Sequence, residues 1–136
     1  MRRLSAFLCA LLLPLAAAAQ PLITPAELAA KAGDPSLRIV DIRAADGNPA
    51  AFARGHVPGA LSAPYAKWRG PKENPGALPD TAALTALIRS LGIESATPVV
   101  VVYEGTDATE FGAAARVYWT LKAAGLKQLA ILNGGM

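Results

Sequence analysis

The sequence predicts an α/β domain built around a mostly parallel central sheet. Segments that favour strands alternate along the chain with segments of helical periodicity, in the order strand, helix, strand, helix, strand. Four consecutive valines at positions 99–102 form an apolar, β-branched run without polar alternation, which is typical of a strand buried on both faces. This combination favours helices packed on a parallel sheet through right-handed crossovers.

The first half of the chain is expected to contain one short helix and two strands. Thr24 and Glu27 have the spacing of a capping box and Pro25 occupies the first helical position, so a helix is predicted from there to about residue 32. The other elements expected here are a strand over residues 37–42, a helical turn over residues 50–53, an edge strand over residues 60–63 and a surface loop over residues 67–79.

The second half is expected to contain two helices and two strands. Asp80 is a suitable N-cap for a helix that ends at Gly92. The apolar stripe of this helix is formed by Leu84, Leu87, Ile88 and Leu91, and that of the next helix by Phe111, Ala114, Val117, Leu121 and Ala124. Strands are expected over residues 99–103 and 129–132. The alanine-rich face of the second helix allows that helix to lie close against a sheet.

The N-terminus has the pattern of a signal peptide. Two arginines follow Met1, an uncharged stretch rich in leucine and alanine runs to Ala19, and small residues precede Gln20. The rival interpretation is a membrane anchor, but the apolar run is shorter than the roughly 20 residues of a spanning helix and Pro14 interrupts it. We therefore expect a signal peptide over residues 1–19, a folded domain over residues 20–136, and an exported protein, periplasmic or secreted, that leaves the membrane after cleavage.

Composition excludes several classes of function. The single cysteine, Cys9, lies inside the predicted leader, so the mature protein would have no disulfide, no cysteine-ligated metal and no thiol nucleophile. Arg2 and Arg3 supply two of the net charges of +3, which leaves no general case for nucleic acid or an anionic membrane as partner. No motif indicates a cofactor, and no second ligand type clusters with the single histidine to indicate a metal site.

The loop after the valine strand is the place where a site is expected, because ligands bind at the carboxyl ends of parallel strands. This loop carries three carboxylates, those of Glu104, Asp107 and Glu110, which would repel an anionic substrate. An acid/base pair is one interpretation. The favoured one is a helix cap, with Asp107 as N-cap and Glu110 three residues on.

The chain stops at Met136, directly after the last predicted strand and the turn at Asn133–Gly135. A final helix would be needed to cover the open face of the sheet. We therefore expect that the sequence is a fragment of a longer protein.

Five short motifs, in order along the chain, together resemble the rhodanese (thiosulfate sulfurtransferase) family. They are Asp41-Ile42-Arg43, the segment Gly55-His56-Val57-Pro58-Gly59-Ala60, the run Val100-Val101-Val102-Tyr103, the helical segment at residues 113–119, and Leu132-Asn133-Gly134-Gly135. Each motif alone has low specificity. Together they occur in the expected order and at the expected spacings, and the match covers nearly the whole mature chain. The resemblance implies a three-layer, rhodanese-like domain.

The resemblance also implies where the chemistry of the family would sit. Catalytic members carry a cysteine just after the strand that corresponds to residues 99–103, and it carries sulfur as a persulfide; the matching position here is Glu104. A carboxylate cannot form a persulfide. The sequence therefore resembles the N-terminal, non-catalytic half of a tandem-domain sulfurtransferase of the thiosulfate:cyanide type, and the Ala-Ala-Arg-x-x-Trp pattern with Arg116 and Trp119 agrees with that half.

In this interpretation a second, catalytic rhodanese domain follows this domain in the intact protein, so that the parent is an enzyme and this chain alone is inactive. The alternative is a stand-alone, non-catalytic binding or regulatory module. A phosphatase relative of the same fold is disfavoured, because the Cys-x5-Arg loop that its chemistry needs is absent.

Structural roles are favoured for the remaining candidate residues. His56 is expected to be a turn histidine held by hydrogen bonds, next to the motif glycine Gly59, rather than a base or a metal ligand. Asp41 and Arg43 are expected to fix the turn at residues 55–60 through a charge-assisted hydrogen bond rather than to bind substrate.

Two expectations concern the surface. Arg116 is expected to pair with an acid of the loop at residues 104–110 rather than to line a site. Trp119 is expected to be partly buried, whereas Trp68, between Lys67 and Arg69, is the better candidate for an interface.

Overall fold

The computed structural model describes residues 21–46 and 50–136 and shows five parallel strands flanked by helices. The strands are β1 (Leu22–Ile23), β2 (Arg38–Asp41), β3 (Leu61–Ser62), β4 (Val99–Val102) and β5 (Leu129–Leu132). The helices are α1 (Pro25–Lys31), α2 (Ala51–Arg54), α3 (Thr81–Ser90) and α4 (Ala108–Ala123), with a 3-10 helix at Tyr65–Trp68. The predicted leader at residues 1–19 lies outside the described residues.

The sheet has the strand order β1-β5-β4-β2-β3, and every pairing is parallel. The valine strand β4 lies at the centre, and all four of its residues are buried, as the absence of polar alternation predicts. β3 is an edge strand, as expected. The strand at the other edge, β1, is not among the predicted elements. It consists of only two residues, Leu22 and Ile23, which pair with β5, and a strand of that length is too short to show a sequence pattern.

Two apolar layers cover the sheet, which confirms the α/β class. On one face, β2, β4 and β5 contribute residues such as Val40, Val101 and Ile131 to a cluster that includes Val117 and Leu121 of α4. On the other face, Ile39, Val100, Val102 and Leu132 meet Leu28 of α1 and Phe52 of α2. Successive strand residues therefore alternate between the two layers, as the two-residue period of a strand requires.

The predicted helix caps are present. The Thr24 hydroxyl accepts a hydrogen bond from the Glu27 amide and the Glu27 carboxylate accepts one from the Thr24 amide, so α1 begins with the complete capping box. Asp80 accepts a hydrogen bond from the Ala83 amide at the start of α3. Among the described residues, the helices are too short or too polar to span a membrane.

The two tryptophans are placed opposite to expectation. Trp68 is fully buried and its indole Nε1 donates a 3.0 Å hydrogen bond to the Ala63 carbonyl, whereas Trp119 is 52% exposed. The predicted loop at residues 67–79 therefore begins inside the 3-10 helix, and that helix turns Trp68 into the core. Charged neighbours in the sequence do not reveal this, because Lys67 and Arg69 point outward on either side.

The apolar stripe of α4 is also shifted from the predicted one. Phe111 and Ala124, at its ends, are exposed, while Thr120 is completely buried. Thr120 can occupy the core because its hydroxyl donates a 2.8 Å hydrogen bond to the Arg116 carbonyl one turn back. A threonine satisfied within its own helix packs like an apolar side chain, which hydropathy alone does not show.

Candidate functional site

The register of the sheet brings the ends of β2 and β4 together. Asp41 is paired with Val102, so the residues that follow each strand, Arg43 and Glu104, emerge side by side at the carboxyl edge. The Ile42 amide donates a 2.9 Å hydrogen bond to the Val102 carbonyl and extends this contact by one residue. The candidate site is therefore made by two segments that are 61 positions apart in the sequence.

Arg43 is locked in place by Asp41. Its Nε lies 3.0 and 3.1 Å from the two carboxylate oxygens of Asp41, and its Nη2 donates a 2.8 Å hydrogen bond to Oδ2. The two side chains are only 6% and 1% exposed. Hydrogen bonding to Asp41 raises the pKa of Arg43, against the opposing effect of burial, and the charges of Asp41 and Glu104 raise it further.

The same guanidinium holds the turn that follows α2. Arg43 Nη2 donates a 2.6 Å hydrogen bond to the Gly55 carbonyl, so the expected link between Arg43 and the turn at residues 55–60 is present. Within that turn the Ala60 amide donates to the Val57 carbonyl, and Gly59 has a φ of +80°. In this turn Pro58 holds the second position and Gly59 the third. The third position of such a turn needs a positive φ, which glycine adopts without strain.

His56 lies outside the cleft and has the hydrogen-bonded turn position that was expected. Its ring stacks on Phe52 with centroids 3.8 Å apart, and its Nδ1 is 2.8 Å from the Phe52 carbonyl. A carbonyl can only accept, so Nδ1 carries the proton. Across the described residues, no group of three potential ligands of the His, Cys, Asp or Glu type is close enough to hold a metal.

Glu104 contacts its cationic neighbours loosely. One carboxylate oxygen lies 4.0 Å from Arg43 Nη1 and the other 3.9 Å from Arg54 Nη2. Both distances exceed the roughly 2.7–3.2 Å of a direct hydrogen bond. The carboxylate is 36% exposed and the Arg54 side chain 52% exposed, so this pair of opposite charges faces solvent at the edge of the sheet.

The two other carboxylates of the loop are engaged within it. Asp107 is the N-cap of α4 and accepts a 2.9 Å hydrogen bond from the Glu110 amide, so the cap interpretation is confirmed. The Glu110 carboxylate accepts hydrogen bonds from the amide and the hydroxyl of Thr106, at 2.7 and 2.8 Å. It therefore closes the loop one residue earlier than in an ordinary capping box, where the N-cap amide is the donor.

The position of the loop is set by a backbone contact with the turn after β5. A Cβ built on Gly135 would lie 2.5 Å from Gly105 Cα and 2.7 Å from its amide nitrogen. Both glycines have positive φ, +86° at Gly105 and +75° at Gly135. The Met136 amide also donates a 3.0 Å hydrogen bond to the Tyr103 carbonyl, so two chain segments meet here without room for a side chain.

Arg116 does not pair with an acid of the loop, and that expectation is wrong. Its Nη2 donates a hydrogen bond to the Gly76 carbonyl, and its guanidinium lies 5.6 Å from the ring centroid of Trp119. The helix points Arg116 toward the segment before α3 rather than toward the N-terminus of α4. Sequence proximity to three carboxylates was misleading, because the side chain lies one and a half turns beyond the last of them.

A cleft of about 710 Å³ opens beside Arg43, Arg54 and Glu104. Apolar and aromatic residues supply most of its remaining wall, chiefly Ile42, Tyr65, Tyr103 and Ala113, and Asp46 and Glu110 add acidic groups. Its size is typical of small-molecule sites. Of the sequence-predicted site residues, the cleft brings together Arg43 and Glu104, with Asp41 directly behind; His56, Gly59, Asp107 and Arg116 do not line it.

Sequence reasoning missed Arg54 and Tyr65. Tyr65 follows the edge strand β3, and its amide donates to the Ile42 carbonyl, so it lies at the same carboxyl edge as Tyr103. The rule that sites form at strand ends therefore applies to Tyr65 as well. No sequence pattern pointed to Arg54, because the direction of its side chain depends on how the short helix α2 packs on the rest of the domain.

Comparison with known proteins places this geometry in a family. The family model of the rhodanese-like domain matches residues 24–136 of the sequence. SseB of Mycobacterium tuberculosis is 40% identical over 131 residues, which span 86% of this chain and 43% of SseB. The thiosulfate sulfurtransferase of Pseudomonas aeruginosa is 38% identical over 117 residues, which span 84% of this chain and 40% of that protein. The chain thus covers less than half the length of these relatives.

Solved structures show the same fold. SseA from Escherichia coli, described as a 3-mercaptopyruvate sulfotransferase, superposes with a TM-score of 0.63 at 23% identity, over 85% of this chain and 40% of SseA. The sulfur transferase subunit of yeast mitochondrial complex I superposes with a TM-score of 0.62 at 26% identity, over 84% of this chain and 39% of that subunit. Each neighbour is more than twice as long as the matched region.

Proposed function

The chain belongs to the rhodanese-like domain family, and from that premise we propose that it is the non-catalytic domain of an exported sulfurtransferase of the thiosulfate:cyanide type. Its relatives in Pseudomonas aeruginosa and Azotobacter vinelandii are named thiosulfate sulfurtransferases. In this proposal the domain supports a second, catalytic domain and forms one wall of the cleft between the two.

The observation that carries the proposal is the identity of the residue at the end of β4. Glu104 stands where the family resemblance places the persulfide-forming cysteine, and the segment from Gln20 to Met136 contains no cysteine. A carboxylate has no sulfur through which to accept a sulfane sulfur from thiosulfate. The arginines that line the cleft face carboxylates, Arg43 tightly to Asp41 and Arg54 loosely to Glu104, so the site lacks a surplus of positive charge for the thiosulfate dianion.

The test is a thiocyanate assay on the segment from Gln20 to Met136 with thiosulfate and cyanide. We expect no thiocyanate above the uncatalysed background, with the Pseudomonas aeruginosa thiosulfate sulfurtransferase as the active reference. Thiocyanate formed in proportion to the concentration of this chain would contradict the proposal.

The alternative is a stand-alone module that binds but does not transfer sulfur. The cleft of about 710 Å³ supports a binding role in either case. The reading frame of the intact gene separates the two: a second Gly-His-x-Pro-Gly segment followed by a cysteine-bearing loop supports the enzyme, whereas a stop codon after Met136 supports the module. Export is tested separately, by N-terminal sequencing of the protein recovered from outside the cytoplasm, where the proposal expects Gln20 as the first residue.

A further inference from the structure

The outer face of α4 is apolar although it faces solvent. We define this face as Phe111, Gly112, Ala115, Trp119 and Lys122, which lie on the side of the helix that points away from the sheet. Trp119 is 52% exposed and Phe111 41% exposed, and Lys122 is the one charged residue of the set. A helix that is apolar on both sides is normally covered on both sides. Two large aromatic side chains on one exposed helix face therefore indicate an interaction surface.

The ring of Trp119 is held in place by the protein itself. The Arg116 guanidinium lies 5.6 Å from the ring centroid, and it also donates a hydrogen bond to the Gly76 carbonyl. Contact between a cation and an aromatic face is favourable, so the orientation of the ring is restricted before any partner arrives. A side chain that is already ordered loses less conformational freedom on association. Tryptophan and arginine are also the residues that most often dominate the binding energy of protein interfaces.

Gly112 has no structural cause within the domain. It has the ordinary backbone of a helix interior, where glycine is disfavoured relative to alanine. A Cβ built on it would meet nothing within 4 Å, so crowding does not require glycine either. Gly112 and Trp119 are seven residues apart and lie on the same helix face. The missing side chain leaves a notch through which a second helix can approach closely.

The two ends of α4 carry opposite charge. The loop at residues 104–110, before the helix and in its first turn, has three carboxylates and no cation, whereas residues 117–127 have Lys122 and Lys127 and no acid. Two copies of the helix packed antiparallel place each acidic end against a basic end, and parallel packing would place like charges together. The surface is therefore complementary to itself in charge, as an interface with two-fold symmetry requires.

We propose that two copies of this chain associate through the outer faces of α4, with the helices antiparallel and a two-fold axis near Ala115. In this arrangement Trp119 of each copy covers Gly112 of the other, and Lys122 lies beside Asp107 of the other. The helix of 16 residues is about 24 Å long. Two faces of that length bury an area at the low end of specific interfaces, so we expect a weak dimer of micromolar affinity.

The inference goes beyond the proposed function, because this face is separate from the cleft. Trp119 follows Asp107 by 12 positions and therefore lies about 18 Å along the helix from the carboxyl edge of the sheet. A catalytic domain across that edge would not reach it. The edge strands also expose leucines, Leu22 in β1 and Leu61 in β3. Each of these strands has only two residues, and such short edges are poor templates for pairing with another copy.

Sedimentation equilibrium of the segment from Gln20 to Met136 tests the dimer between about 1 µM and about 1 mM, a range that includes micromolar dissociation constants. We expect a reversible monomer–dimer equilibrium that weakens as salt is added, because salt screens the charged ends. Tryptophan emission should move to shorter wavelength as the dimer forms. Since Trp68 is fully buried in each copy, this shift reports the burial of Trp119.

Three variants assign the interface. Trp119→Ala and Gly112→Gln should each raise the dissociation constant about tenfold or more, and Lys122→Glu should raise it several-fold. The Gly112→Gln monomer should be no less stable than the parent, because glutamine is a better helix former than glycine. Lys31→Glu, in the last turn of α1, is the matched control for Lys122→Glu. Leu22→Ser is the control for Trp119→Ala, and neither control should change the dimer.

Several outcomes would overturn the inference. One is a monomer throughout the concentration range, and another is a dimer that persists undiminished in Trp119→Ala. A dimer lost in Leu22→Ser would assign the contact to the edge strand instead. In a longer protein with a second domain, a monomer in which Trp119 is already buried would identify that domain as the occupant of the face. The thiocyanate assay is independent of all these results, because it measures sulfur transfer and not association.

Discussion

The guanidinium of Arg43 faces two carboxylates in two different ways. Toward Asp41 it makes direct hydrogen bonds of 2.8–3.1 Å between side chains that are almost completely buried. Toward Glu104 the distance is 4.0 Å and the carboxylate is 36% exposed. The first contact is structural support, because it fixes the end of β2 to the turn after α2. The second contact leaves the Glu104 carboxylate partly exposed to solvent.

The largest expected effect comes from breaking the tight pair. Asp41→Ala leaves Arg43 buried without its counter-charge, which typically costs about 3–5 kcal/mol of the free energy of unfolding. The loss should hold across neutral pH, because an arginine guanidinium stays protonated there even after its partner Asp41 has been removed. Urea denaturation of the variant measures this.

Asp46→Ala, at an exposed acid of the same cleft, is the control and should change the free energy of unfolding by no more than about 0.5 kcal/mol. A loss below about 1 kcal/mol for Asp41→Ala would show that the buried pair is not the support described here.

A second effect should arise where backbone contact, rather than charge, positions Glu104. Gly105→Ala introduces a Cβ into a left-handed residue and against Gly135 Cα at 2.9 Å, so we expect a loss of about 2–4 kcal/mol from strain and overpacking together. Gly125 is a matched control, because it also has a positive φ, +101°, but open space around it.

Gly125→Ala should therefore cost only the conformational strain, about 1–2 kcal/mol. Thermal unfolding of the two variants gives the comparison directly. Equal losses would mean that the contact between the Glu104 loop and the turn after β5 contributes nothing of its own.

The smallest effect is expected at the loose pair. Glu104→Gln removes the charge but keeps the shape, and exposed ion pairs contribute at most about 1 kcal/mol. The free energy of unfolding, measured beside Asp41→Ala under the same conditions, should therefore change little. A loss as large as that of Asp41→Ala would remove the distinction between the two contacts of Arg43.

Most of the fold could be predicted from the sequence, because its elements have local causes. The helices that begin after Thr24 and Asp80 are specified by capping residues close in the sequence. The strand β4 is specified by its own unbroken run of valines. β1 and the burial of Trp68 could not be predicted, because they depend on partners in β5 and in the core.

The candidate site was predictable only in part. Asp41 is the last residue of β2, and Arg43 and Glu104 follow β2 and β4. The rule that sites form at the carboxyl edge of a parallel sheet therefore brings the three residues together. The pairing of Arg116 with Gly76 and the presence of Arg54 in the cleft depend on side-chain directions that no spacing encodes. The sequence shows that the loop is acidic. It does not show which carboxylate caps a helix, as Asp107 does, and which remains partly exposed, as Glu104 does.

We propose that Glu104, after β4, leaves this domain unable to carry sulfur. The most direct test of this proposal is the intact mass of the segment from Gln20 to Met136 after incubation with thiosulfate. We expect the mass to be unchanged, since the segment has no thiol to form a persulfide. A stoichiometric gain of one sulfur atom, removed again by cyanide, would contradict the account.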